Sequence, residues 1–300
     1  MNRSYLFAPG HNAKLLDRVF TVGADAVMLD LEDAVPPAQK AAARRMVAAA
    51  LADPPAAGAP APRAWVRLNA ARTDLCAADL DAVAADAHGI RIPKAESPED
   101  VAWVAERAPG KPIICAIESA RGLLAAAEIA AAPGVAHLAM GGVDLQQDLA
   151  TDGSNLATLY ARSHLVGCSR AARIGPPIDS VFPRLADDDE LRAQAEFARS
   201  LGFFGKSAIH PRQLPVLHAV FTPTERSWPG PGRWWPRSPP PTVPRSGSRT
   251  ASSSTCPSRS GRSGCSRGRD QGMPACGTST RSVSTIPSPT WPLSYRLATT

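Results

Sequence analysis

The chain has 300 residues, 44% of them hydrophobic and 20% charged, which is enough apolar content for one large α/β domain or two smaller ones. No early stretch joins a basic region, a long apolar run and a cleavage site, and no apolar run reaches bilayer-spanning length, so the expected location is cytoplasmic. The net charge of +6 is unevenly placed: Met1–Thr222 holds 22 basic and 25 acidic residues, leaving a mildly acidic body without the basic surface that nucleic-acid binding needs.

Ser4–Ala8 reads as a short strand, followed by Pro9-Gly10-His11-Asn12 and a helical pattern over Ala13–Val22. Ala26–Asp30 is a second strand ending in the acidic turn Leu31-Glu32-Asp33, and an Ala- and Arg-rich helix is expected over Gln39–Ala52. Beyond the Pro/Ala loop Pro54–Pro62, strand three is Ala64–Leu68 and a third helix is expected over Asp79–Ala87. Gly89–Ile92 is strand four, leading into Pro93-Lys94, and Pro98–Arg107 is a helix with Ser97 as its N-cap. Strand five is the continuous apolar run Ile113–Ile117, which marks a strand buried on both faces. An Ala-rich helix Leu123–Ala132, strand six Val135–Met140, a helix Tyr160–Ala172, a short strand Pro176–Asp179, an amphipathic helix Asp187–Ser200, a strand Gly202–Ser207 and a helix after Pro211 complete the body.

Strands and helices that alternate at roughly 25-residue spacing argue for βα units and a parallel sheet. Eight such units within about 220 residues predict a closed (β/α)8 TIM barrel. An open doubly wound sheet is the alternative, but Pro9-Gly10-His11 after strand one is not a dinucleotide-binding glycine loop. Six cysteines without metal-type spacing give neither a disulfide framework nor a zinc site, and Cys115 inside strand five is a core residue.

From Pro223 the composition changes to Pro, Ser, Arg and Gly, with 11 of the arginines and 13 of the 30 prolines beyond that point. Residues 223–300 are therefore expected to be an irregular, disordered tail after a domain spanning 1–222. The Ala-, Gly-, Pro- and Arg-rich body points to a GC-rich gene, and loss of frame near Thr224–Trp228 would generate such a tail. A basic, aromatic-interleaved arm for nucleic acid is the functional alternative.

The chemistry is concentrated at strand ends. Glu118 follows strand five and Asp144 closely follows strand six, so adjacent rim positions would carry two carboxylates. That pair suits Mg2+, which takes one or two carboxylates and fills its shell with water and substrate. Helix capping is the competing reading for both acids. Arg67, at the end of strand three, would either clamp a substrate carboxylate or pair with Asp30, Glu32 and Asp33 on the adjacent strand end. Those three acids and Lys94 are expected to support the site rather than to bind metal, with Lys94 paired to Glu118 or Asp144. A Schiff-base role for Lys94 is the rival chemistry. Ser119, Arg121 and Gly122 open a helix whose N-terminus would favour an anionic group. Lys206 and His210 near strand eight are ambiguous between rim and structural roles.

Seven stretches occur in order: R-S-Y-L-F-A-P-G (3–10), A-D-A-V-M-L-D-L-E-D-A-V (24–35), V-R-L-N (66–69), I-P-K-A-E-S (92–97), A-I-E-S-A-R-G (116–122), G-G-V-D-L (141–145) and G-K-S-A-I-H-P-R-Q (205–213). Together they resemble the citrate lyase beta-subunit-like proteins of the HpcH/HpaI aldolase family, over Arg3 to about Phe221. The resemblance implies a (β/α)8 barrel, usually trimeric or a multiple of it, and a Mg2+-dependent carbon–carbon lyase. Such a lyase cleaves a citryl-, malyl- or citramalyl-type thioester, on CoA or a protein carrier, to an acyl thioester and a 2-oxo acid. By motif match it assigns Glu118 and Asp144 as metal ligands, with Arg67 and Glu118 contacting substrate. Implied partners are the thioester and copies of the chain, with neither nucleic acid nor membrane. The family's C-terminal region packs over a barrel mouth and in some relatives supplies an acid. Here the Pro/Arg/Ser tail replaces it, so the alternative is a thioester- or oxo-acid-binding barrel impaired in turnover.

Overall fold

Alternating apolar stretches build one parallel sheet of seven strands: β1 (Ser4–Pro9), β2 (Ala26–Asp30), β3 (Arg63–Arg67), β4 (Gly89–Ile92), β5 (Ile113–Ile117), β6 (Val135–Met140) and β7 (Lys206–Ala208). The structure is a computed structural model that describes residues 1–54 and 61–223. Part of the Pro/Ala loop and the tail from residue 224 onward lie outside the described residues, and with them the expected irregular tail. The strand order is β6-β5-β4-β3-β2-β1-β7, so six strands follow in sequence and the last returns beside the first. A doubly wound sheet would instead reverse its order at a switch point.

The helices between strands are α1 (Ala13–Val19), α2 (Lys40–Ala52), α3 (Asp74–Val83), α4 (Pro98–Arg107), α5 (Ala120–Leu124), α6 (Ala126–Ala131), α7 (Gly142–Asp148), α8 (Asn155–Ala171), α9 (Asp188–Leu201) and α10 (Leu214–Phe221). Their apolar stripes cover one face of the sheet in a large core that includes Val27, Leu29, Val66, Ile90, Ile113, Cys115 and Ile117. The opposite face carries a second, smaller core of Tyr5, Ala26, Met28, Trp65, Ile114, Ala139 and Ile178. Burial on both faces explains why β5 reads as a continuous apolar run rather than an alternating one.

The expected closed eight-stranded barrel is not formed. The sheet is an open, curled half-barrel with β6 and β7 as its edges. The anticipated strand Pro176–Asp179 contributes only two isolated parallel bridges, Ala139↔Ile178 and Asp179↔Lys206. The cause is local: Pro176 and Pro177 have no backbone N–H, so half of that segment cannot donate to a neighbour. Ile178 and Asp179 still donate to Leu138 and Gly205 at 2.9 and 3.0 Å, and the carbonyls of Pro177, Ile178 and Asp179 accept from Phe204, Met140 and Ser207.

Helix starts follow their caps. Ser97 accepts from the Asp100 N–H and starts α4 where the sequence places it. Thr73 caps α3, which begins five residues before the expected start, and Ser154 caps α8 likewise. The single helix expected over Leu123–Ala132 is two short ones that meet at Ala125, the first opened by Ser119.

Behind the sheet, under α8, Asp179 is wholly buried between two cations. Its Oδ2 accepts from Lys206 Nζ at 2.6 Å, and Oδ1 is bound by Arg162 Nη1. Burial raises the Asp179 carboxyl, but the two cations more than offset it and hold it below the usual carboxylate range. For Lys206 burial wins, and its ammonium lies below the ordinary lysine value. Lys206 therefore belongs to this structural triad and not to the rim.

Candidate active site

The C-terminal ends of β2 to β6 bring together most of the residues singled out above. In parallel register Asp30 stands beside Arg67, and Arg67 beside Arg91. Arg67 holds Asp30 through two bonds, Nε to Oδ1 and Nη2 to Oδ2, both 2.7 Å. Its Nη1 forms an ion pair with Glu32 Oε2 at 2.8 Å and approaches Asp33 at 3.6 Å. All three guanidinium nitrogens are thus engaged, two by Asp30 at the end of β2 and one by the acidic turn after it. Burial raises the Asp30 carboxyl, but Arg67 and the backbone N–H groups of Glu32 and Ala34 bring it below the usual range.

Lys94 does not pair with the side chains of Glu118 or Asp144, as the sequence suggested. Its ammonium contacts Glu32 Oε1 at 2.6 Å and Asp33 Oδ1 at 3.5 Å. The reason lies in the backbone: Lys94 has a left-handed φ of 47°, a strained conformation for a residue with a Cβ. That turn sends the side chain toward β2 and leaves the Lys94 N–H to donate to Glu118 Oε2 at 3.2 Å. Despite partial burial, the Glu32 contact raises the Lys94 ammonium above its ordinary value, so it stays protonated. Burial raises Glu32, Arg67 pulls it down, and Asp33 and Glu118 add repulsion, leaving its carboxyl at about 7.

Glu118 is 4% exposed and sits just past β5. Burial pushes its carboxyl up, Arg91 and Arg67 pull it down, and Asp144 pushes it up again, for a net rise. The repulsion from Asp144, in the first turn of α7, places both carboxylates in one electrostatic neighbourhood. Gly141 lies against the Glu118 side chain: a Cβ there would overlap Glu118 Cγ and come within 2.7 Å of Cδ and Oε1. Among the described residues no three His, Cys, Asp or Glu side chains converge on one point. A cation between Glu118 and Asp144 would therefore complete its shell from water and ligand oxygens, which is the habit of Mg2+.

The anion site anticipated at Ser119, Arg121 and Gly122 is filled by the chain itself. Ser119 Oγ accepts from the Gly122 N–H and donates to Glu96, and Asp148 accepts from the Ala120 N–H at 2.6 Å. Arg121 is exposed, 4.0 Å from Glu96. His210 caps the turn before α10, accepting from the Arg212 N–H at 3.1 Å. Sequence reasoning missed Arg91 and Gly141. The signal for Arg91 was present, since a charge inside Gly-Ile-Arg-Ile cannot avoid burial if β4 is internal.

Comparison with known proteins decides the family. Residues 3–211 match the family model described as HpcH/HpaI aldolase/citrate lyase. The chain belongs to that family. A citrate lyase subunit beta-like protein of Deinococcus radiodurans is 38% identical over 231 residues, covering 74% of this chain and 81% of the relative. A (3S)-malyl-CoA thioesterase of Cereibacter sphaeroides is 36% identical over 233 residues, covering 74% and 78%. Among solved structures, the citrate lyase beta subunit of M. tuberculosis complexed with oxaloacetate and magnesium superposes with a TM-score of 0.65. It is 33% identical and covers 74% of this chain and 97% of its own. In this family member, none of the helices in the described residues is long and apolar enough to cross a membrane.

Gly141 offers a direct probe of the carboxylate pair. Its φ of −91° is open to any residue, so Gly141→Ala acts by steric overlap with Glu118 and not by backbone strain. The variant is expected to lose about 1–3 kcal/mol of stability, as overpacked sites do. Its turnover is expected to fall about 100-fold because the carboxylate is displaced. Thermal unfolding and single-turnover rates on one preparation check both.

Proposed function

We propose that this chain is a Mg2+-dependent carbon–carbon lyase that cleaves a citryl-, malyl- or citramalyl-type acyl thioester to an acyl thioester and a 2-oxo acid. The observation that carries the reading is the buried Glu118 and half-buried Asp144 on neighbouring strand ends, with Asp144 repelling the Glu118 carboxylate and Gly141 packed against the Glu118 side chain. Family membership and the magnesium and oxaloacetate of the mycobacterial relative support it.

Glu118 and Asp144 would hold the metal, which when bound supplies Lewis acidity toward hydroxyl and carboxylate oxygens. The Lys94 N–H fixes one Glu118 oxygen, and Gly141 leaves room for the rest of that side chain. Arg67, locked by Asp30 and Glu32, keeps a fixed positive charge beside the pair where the acid half of the substrate carries negative charge. Glu32, its carboxyl pushed up to about 7 chiefly by burial, stands between Arg67 and Lys94 and fixes both cations beside the pair. Cleavage requires loss of the substrate hydroxyl proton, carbon–carbon scission, and protonation of the released thioester enolate.

Release of a 2-oxo acid from citryl-, malyl- and citramalyl-CoA, followed with and without chelator, tests the proposal. Product that appears only with Mg2+ is expected, and full turnover in chelator overturns the metal reading. A Schiff-base route predicts covalent trapping at Lys94 by borohydride in the presence of a 2-oxo acid. The protonated, ion-paired Lys94 is expected to remain unmodified, as read by peptide mass. The Pro/Arg/Ser composition of residues 223–300 favours a second reading, ligand binding without turnover, which tight binding with no product on the same preparation would establish.

A further inference from the structure

Arg91 is a buried cation with two nitrogens that lack a hydrogen-bond partner. It is 4% exposed, and its Nε and Nη1 are shielded from solvent with no hydrogen-bond partner. Register places it on the concave face between Arg67 and Ile114. Its guanidinium carbon lies 5.4 Å from the centre of the Phe7 ring, and that of Arg67 lies 5.2 Å from the same ring. Two guanidinium groups therefore flank one aromatic ring that is itself only half-buried.

Stacking on Phe7 returns only part of the cost of stripping water from a guanidinium. The nearby acids do not make up the rest. Asp30 and Glu32 are taken by Arg67 and Lys94, and Glu118, the charge that Arg91 feels most, bonds to the Lys94 N–H. Arg67 has every nitrogen engaged, whereas Arg91 has two that are not. Of the two arginines on the concave face, the one with hydrogen-bond donors left over is therefore Arg91 and not the arginine singled out by the sequence.

We propose that Arg91 binds a carboxylate of the ligand, and that the 2-oxo acid handled by this chain is dicarboxylic. One end of that acid, its carboxylate and 2-oxo group, would face the cation that Glu118 and Asp144 would hold, and the second carboxylate the Arg91 guanidinium. A citryl-type substrate meets this requirement, and a citramalyl-type substrate does not. The inference rests on the lyase reading above and narrows it.

Titration calorimetry of the full chain in saturating Mg2+, with oxaloacetate and with pyruvate, tests the assignment. Wild type is expected to bind oxaloacetate at least about tenfold more tightly, the scale of a charge-assisted bidentate contact. Arg91→Met is expected to weaken oxaloacetate about 10- to 100-fold and pyruvate less than about twofold. Without ligand, Arg91→Met is expected to melt no lower than wild type, because an unpaired buried charge has been removed, while the stabilisation by oxaloacetate shrinks. Arg91→Lys, which keeps the charge but not the fork, is expected to fall between them and carries the same comparison should the methionine variant fold poorly. Equal affinity of wild type for the two acids, or an equal loss of both in the variants, overturns the role of Arg91 and leaves the lyase reading standing. Failure of folded wild type to bind either acid overturns both.

Discussion

Glu118→Gln and Asp144→Asn are each expected to remove Mg2+-dependent turnover, by about 1000-fold or more, while the chain stays folded. Both substitutions keep the side-chain shape and delete one negative charge, so a loss reads on the charge itself. The two acids should not behave as independent contributors. The double variant should cost little more than either single change, as expected of residues that act through one bound ion. Mn2+ binding read by electron paramagnetic resonance provides a measure free of turnover, and it should weaken in step with activity. Glu118→Gln should also relieve the burial penalty that keeps its carboxyl high, so its melting temperature is expected to equal or exceed that of wild type in the absence of metal. Retention of metal-dependent turnover by either single variant would remove that residue from the site.

The largest stability effect is expected far from the rim. Asp179→Ala leaves Arg162 and Lys206 buried side by side without a counter-charge. Breaking a buried ion pair in this way costs about 3–5 kcal/mol. For a domain of this size that lowers the melting temperature by roughly 6–20 °C. Replacing all three with apolar residues of similar volume should restore most of the loss, because the cost lies in the stranded charge and not in the missing bonds. The pH dependence follows from the same geometry. Asp179 has a depressed folded-state pKa, so its contribution is present above the ordinary carboxylate value near 4 and is lost as pH falls through the lower folded value. The Asp179 contribution to stability is therefore expected to disappear only as pH falls below the ordinary carboxylate value, and Asp179→Ala should flatten that part of the acid dependence.

The strands were the most legible part of the fold. The bounds of β2, β4, β5 and β6 follow from apolar runs closed by turn residues, and Ser97 marks α4 because a cap is a contact within one turn. Glu118, Asp144 and Arg67 were legible as candidates for the same local reason, since each stands where a buried strand ends. The start of α3 was missed because Asp79, which reads as a helix opening, is instead an interior helical residue. Its carboxylate accepts from the Asn69 side chain at 2.6 Å.

The sequence alone determined a parallel βα architecture, the order of its motifs, and the placing of a carboxylate pair at the ends of β5 and β6. Those features depend on residues a few positions apart. Only the tertiary structure decided how far the sheet closes and who partners whom within it. Pro176 and Pro177 deny the eighth segment two of its four donors, so it forms isolated bridges in place of a strand. Register across β2, β3 and β4 gives Asp30 and Glu32 to Arg67, turns Lys94 away from Glu118 through its left-handed backbone, and leaves Arg91 buried with nitrogens unpaired. Each strand's side-chain pattern is written in its own residues, but a charge finds its partner across strands far apart in the chain, and that depends on register and curvature.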